Sequence, residues 1–139
     1  MKYYAVVDTN VLVFALLSSH DDAATVRIVG RMLSGEIIPV YSAEIINEYR
    51  DVLRREKFKF DRELTDCLLS AICRFGLAIE PTETGVVLPD RKDLPFYEVV
   101  MEKRRSDDAY LVTGNIKHFP SSCFIVTPAE MLRIMDGKE

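Results

Sequence analysis

Three carboxylates and one amide in this 139-residue chain stand where an apolar segment meets a polar one: Asp8, Glu48, Asp93 and Asn115. Hard divalent cations such as Mg²⁺ or Mn²⁺ take oxygen ligands, usually a few carboxylates completed by water and substrate phosphate. Three acids and an amide meet that need. A cation held among them activates water and neutralises charge on a phosphodiester in the transition state, with one or two ions sharing those roles.

For these residues to meet, the chain between them must bring them to one place. Residues 2–7 are β-branched and aromatic, and 11–17 are apolar without alternation, so the break at Asp8, Thr9 and Asn10 reads as strand, turn, helix. Val26, Val29, Met32 and Leu33 predict a helix over 23–33 that stops near Gly35. A short strand follows at 37–41, with Pro39 near its start or edge. Ser42 offers an N-cap for a helix over 43–53, in which Ile45, Ile46, Tyr49, Val52 and Leu53 form one face and Glu44 and Glu48 lie beside it. A helix is expected over 63–75, ended by Gly76, then a strand at 77–80 and a loop over 82–92. Leu94 to Glu102 reads as a helix with Pro95 in its first turn, and strands are expected at 110–113 and 123–126. The last segment, TPAEMLRIM, carries Thr127 as N-cap, Pro128 at the first helical position and Glu130 three residues after the cap.

Strand and helix therefore alternate along the chain, with about five short strands that are apolar on both faces, as buried parallel strands are. The expected fold is a three-layer α/β/α sandwich around a parallel sheet, formed by one domain spanning residues 1–139. In such a sheet ligands sit beyond the carboxyl ends of the strands, where the strand order reverses. Asp8 and Asn115 lie at strand ends, Glu48 can lean back over the sheet from its helix, and Asp93 can do so from a helix start.

Each position also has a plainer reading. Asp8 before a helix is an N-cap, Glu48 and Glu44 are solvated helix residues, Asp93 caps its helix or favours its dipole, and Asn115 after Gly114 is a turn residue. Asp107 and Asp108 read as loop charges. Only the joint placement of the four carries the metal reading.

Composition narrows the classes. The chain is 48% hydrophobic and 29% charged with a formal net charge of −4, which argues against nucleic-acid binding by general electrostatic attraction. A convergent acid site that binds cations escapes that objection, because the ion makes the local field positive. No apolar run is long enough for a membrane span and the N-terminus lacks the apolar stretch of a signal peptide, so a cytoplasmic location is expected. Cys67, Cys73 and Cys123 are odd in number and lack metal or redox spacing, and are expected to be buried reduced thiols.

Four segments, VVDTNVL (6–12), EIINEYRDVL (44–53), DRKDLPFYEVV (90–100) and YLVTGNIKHFP (110–120), occur in order over nearly the whole chain. Together they resemble a PIN-domain protein of the VapC-like toxin type. The resemblance implies a parallel α/β/α fold and a metal-dependent endonuclease, usually directed at RNA. It makes Asp8, Glu48 and Asp93 the first, second and third metal-binding acids, and Thr9, Asn10 and Thr113 polar residues lining the site. Asn115 stands where many relatives carry Asp, which leaves three of the usual four acids; Asp90 is a possible replacement ligand, with Asp93 favoured. The same resemblance implies an antitoxin partner that blocks the acids, and a homodimer.

Arg50, Arg54, Arg55, Lys57, Lys59 and Arg62, interleaved with Phe58 and Phe60, could lead a phosphate backbone toward the acids, as could Lys117 and His118 after the fourth strand. Asp51, Glu56 and Asp61 dilute that charge, so a solvated helix end is the competing reading; Lys103, Arg104 and Arg105 form a smaller basic group. Two other functions compete with the nuclease. One is a catalytically weak or inactive PIN-like module that binds RNA or a protein. The other is an aspartyl phosphatase, which generally needs a second Asp two residues after its nucleophile, where this chain has Asn10.

Overall fold

The computed structural model describes residues 2–137. Five parallel strands form one sheet: β1 (Tyr3–Val7), β2 (Ile37–Tyr41), β3 (Leu77–Ala78), β4 (Ala109–Val112) and β5 (Ile125–Val126). Six helices connect and cover them: α1 (Thr9–Leu17), α2 (Ala24–Leu33), α3 (Ala43–Leu53), α4 (Arg62–Phe75), α5 (Leu94–Arg104) and α6 (Pro128–Met135). Single 3₁₀ turns occur at Glu56–Phe58, Arg91–Asp93 and Ile116–His118. No helix among the described residues is long and apolar enough to cross a membrane.

The strand order is β3-β2-β1-β4-β5. The chain thus works outward from β1 to one edge and then returns to β1's other side. Right-handed crossovers put the connections of these two halves on opposite faces. The α5 helix crosses β4, β1 and β2, while α2 lies against β2 with α1 and α6 beside it. Coverage of both faces explains why Ala5, Val6 and Val7 in β1 and Ala109, Leu111 and Val112 in β4 are all buried rather than alternating.

Local signals account for most element boundaries. Ser42 caps α3 through Ile45 N–H, and Thr127 and Glu130 complete a reciprocal capping box on α6. The edge strands are shorter than their apolar runs. At β3 the ladder ends after Ala78, and at β5 it spans two residues where four are expected. A strand paired on one side only has little to hold its ends. Pro39 lies within β2, an interior strand. It is tolerated there because β3 pairs only with Val40 and Tyr41 and so leaves Pro39 without a ladder partner on that side. Gly76 is the counterpart of that arrangement. A Cβ at this position would fall 2.5 Å from the carbonyl oxygens of both Ile72 and Pro39.

One expectation is corrected. Cys67, Cys73 and Cys123 are exposed, not buried. On α4 the core face is taken by Thr65, Leu68, Leu69 and Ile72, at helical spacing, which turns Cys67 and Cys73 outward.

Candidate active site

The strand order reverses between β1 and β4, and the residues just beyond these two strands meet there. Asp8 continues the β1 ladder by one bond, from its backbone N–H to Val112 O at 2.9 Å. Its carboxylate then caps α1, accepting from Asn10 N–H at 3.4 Å. Thr113, one residue past β4 and fully buried, donates its hydroxyl to Asp8 Oδ2 at 2.7 Å and accepts from Asn115 N–H at 3.0 Å. The N-cap and metal-ligand readings of Asp8 are therefore not exclusive.

Glu48 reaches this point from α3. The buried Thr9 hydroxyl donates to Glu48 Oε2, tying the α1 start to the second acid. The next residue, Tyr49, is buried, and its hydroxyl donates to Val7 O, the last carbonyl of β1. Two neighbouring residues of α3 thus grip the two residues that flank Asp8. Asp93 ends the 3₁₀ turn before α5 and makes no capping bond to that helix. Its Oδ2 faces His118 Nδ1 at 3.2 Å instead.

Burial pushes the Asp8 carboxyl up from its ordinary value, opposed by the Thr113 and Asn10 hydrogen bonds. Glu48 is pushed up by burial and then by the charges of Asp8 and Asp93, and Asp93 by burial and then by Asp8. Glu48 and Asp93, on separate elements, therefore both sense the charge of Asp8. Burial also raises the Tyr49 hydroxyl, which stays a donor.

Among the described residues, no group of three His, Cys, Asp or Glu side chains is already arranged to hold a metal ion. The donor chemistry nevertheless suits a hard divalent cation. Glu48 Oε1 and Asp93 Oδ1 take no hydrogen bond among the described residues, and Asp8 Oδ1 takes only the long one.

A family model described as PIN domain matches residues 4–117, most of the chain. This chain belongs to the PIN-domain family. PIN domains are generally nucleases and typically use divalent metals. Neither curated proteins nor solved structures give a significant match.

The other residues expected at the site of this PIN domain divide by location. Asn10 and Asn115 are exposed at the rim. Arg55 lines a groove of about 490 Å³ with Glu48, Asp51, Arg91, Lys92 and Phe96. Arg54 turns toward α4 instead, where it pairs with Asp66 at 3.2 Å, and Arg50 lines the depression beside it while donating to Asn47 Oδ1 on its own helix. Lys117 lines a separate depression with Phe119 and Glu130. Another groove, about 690 Å³ along α4, shares no residue with the acids. Three partners lay outside the sequence reading: Tyr49, which looked like core, and Arg91 and Lys92, which looked like loop. The placement of Arg91 and Lys92 between two Asp residues, in DRKD, was the available signal.

Proposed function

We propose that this PIN domain is a divalent-cation-dependent endoribonuclease that hydrolyses RNA phosphodiester bonds, with Asp8, Glu48 and Asp93 holding Mg²⁺ or Mn²⁺. The observation that carries the reading is geometric: at the reversal of the sheet Asp8 is held by Thr113, while Glu48 is held by Thr9 and Asp93 by His118, and Glu48 Oε1 and Asp93 Oδ1 are left without a hydrogen bond among the described residues. Such a group gains most from a cation. When bound, the cation supplies Lewis acidity and counter-charge to water and to the phosphodiester.

The chain's own residues hold that arrangement. Thr113 and Asn10 fix the Asp8 carboxylate and favour its ionised form. Thr9 orients Glu48, and His118 orients Asp93. Asn115 supplies an amide oxygen at the rim in place of a fourth charge. The reaction is direct hydrolysis by water, with no covalent enzyme intermediate, because among the described residues no Ser joins the His118–Asp93 pair to form a relay.

The resemblance to VapC-like proteins extends the proposal to a cytoplasmic toxin that forms a homodimer and is blocked by a cognate antitoxin. Co-purification with the product of a small neighbouring gene, and light scattering on the free protein, test those two partners. The absence of a ready three-ligand cluster among the described residues, with Asn115 at the fourth position, favours a second reading: a catalytically weak module that binds RNA or a protein. One experiment separates them. Purified protein is incubated with end-labelled RNA in Mg²⁺, Mn²⁺ or EDTA, alongside Asp8→Asn. Cleavage that needs the cation and disappears in the variant is the expected result; equal cleavage by both proteins defeats the assignment.

A further inference from the structure

The peptide unit that leads into Asp8 is held at its two ends by different elements. Its N–H, on Asp8, donates to Val112 O of β4 at 2.9 Å. Its carbonyl, on Val7, points the other way, toward β2. The alternation along β1 agrees, because Tyr3, whose backbone faces the same side as that of Val7, donates its N–H to Glu36 O just before β2. The β2 ladder nevertheless stops short of Val7. Its last pair is Ala5 with Pro39, and Ser42, whose N–H would be the donor in register with Val7 O, already serves as the cap of α3. The donor that Val7 O receives instead is the Tyr49 hydroxyl, brought in from α3.

The same buried side chain touches the elements of all three acids. It follows Glu48 on α3, its hydroxyl holds the peptide before Asp8, and its ring packs on Phe96, in the first turns of the helix that Asp93 precedes, with centroids 6.2 Å apart. A Phe at this position would fill the core equally and keep the ring contact. The hydroxyl is the part that packing does not require, and its partner is the carbonyl next to Asp8.

We propose that Tyr49 is a positioning residue of the cation site: its hydroxyl stands in for the missing β2 ladder bond and thereby fixes Asp8 relative to Glu48. The proposal rests on the reading that Asp8 and Glu48 share a divalent cation. Without the hydroxyl, the peptide before Asp8 is held by β4 alone and can tilt about that one bond, and α3 keeps only the Thr9–Glu48 bond beside the acid. Groups behind the ligands of a metal orient them, and loss of one typically weakens binding by about 10–100-fold. Tyr49 acts through the backbone rather than on a carboxylate, which places its effect at the lower end of that range.

The test is calorimetric titration of Mn²⁺ into the native chain, Tyr49→Phe, Tyr41→Phe and Asp8→Asn. All are titrated in sucrose, which favours the folded state, and circular dichroism checks that each is folded. Tyr41→Phe is a matched control: its hydroxyl also donates to a backbone carbonyl, Cys73 O at 3.1 Å, but joins β2 to α4, neither of which carries one of the acids. A structural role alone lowers the stability of both Phe variants and leaves the Kd of the folded chain unmoved. The expected result is a Mn²⁺ Kd raised about tenfold in Tyr49→Phe, within about twofold of native in Tyr41→Phe, and no binding in Asp8→Asn. A native Kd in Tyr49→Phe, an equal rise in Tyr41→Phe, or a Tyr49→Phe chain that does not fold even in sucrose overturns the positioning role, while loss of binding in Asp8→Asn keeps the cation reading. No Mn²⁺ binding by the native chain, or binding that Asp8→Asn leaves intact, removes the cation reading and the positioning role with it.

Discussion

Replacing Thr113 by Val keeps the shape of a fully buried side chain and removes one hydroxyl, so it isolates the bond that crosses the switch point. That hydroxyl donates to Asp8 Oδ2 at 2.7 Å and accepts from Asn115 N–H at 3.0 Å. A hydrogen bond to a charged group contributes about 1.5–3 kcal/mol, and the lost partner of Asn115 adds less because that residue is exposed. Thr113→Val is therefore expected to cost about 2 kcal/mol at pH 8, or about 6 °C in Tm for a chain of this size. The sign of the pH dependence follows from which form of Asp8 the bond favours. Thr113 lowers the Asp8 pKa, which burial has raised, so the variant raises the folded-state value further. The unfolded-state value is the same in both proteins. The native hydroxyl's advantage is then full above the folded-state values and shrinks as pH falls through them, leaving only the weaker bond to a protonated acid. Urea unfolding from pH 8 down to pH 4.5 measures this directly. A difference below about 0.5 kcal/mol at pH 8, or one that grows toward acid pH, refutes the account of Asp8 as a buried carboxylate kept ionised by Thr113.

Further outcomes follow from the same geometry. Asp8→Asn retains a good N-cap and removes a buried charge, so at neutral pH the metal-free variant is expected to melt no lower than the native chain. Mn²⁺ at a hundred times its Kd is expected to stabilise the native chain by about 2.7 kcal/mol in a thermal melt, with the gain lost in Asp8→Asn. Tyr49→Phe strands the buried Val7 carbonyl while keeping the ring beside Phe96, 6.2 Å away between centroids; urea unfolding should show a loss of about 1–3 kcal/mol. Gly76→Ala drives a methyl into two carbonyl oxygens and should destabilise by more than about 1 kcal/mol in the same assay.

What the sequence made legible were features written within one turn or one strand. The strand–turn–helix at Asp8, the Ser42 and Thr127 caps and the stripe on α3 are local patterns, and each forms where those patterns place it. Edge strands were overestimated because an apolar run does not reveal how many neighbours it will have. The thiols were misjudged for a related reason. Small apolar side chains are usually buried, but on α4 the core stripe was already full. At the site, three acids could be grouped from their positions after strands. Their partners could not, since Thr9 bonds Glu48 across 39 residues and Thr113 bonds Asp8 across 105. Arg91 and Lys92 read as loop residues because nothing local shows that their turn will stand opposite α3.

The distance in sequence between Asp8 and Thr113 also sets a timetable. A ribosome-bound chain that has emerged only through α5 already presents Asp8, Glu48 and Asp93, but β1 then has an open side where β4 belongs, and neither Thr113 nor His118 has emerged. The bond that fixes Asp8 waits for one of the longest loop closures in the fold. For the ribonuclease proposed above, an Asp8 left unfixed until then would spare the RNA nearest to the chain during translation, its own messenger.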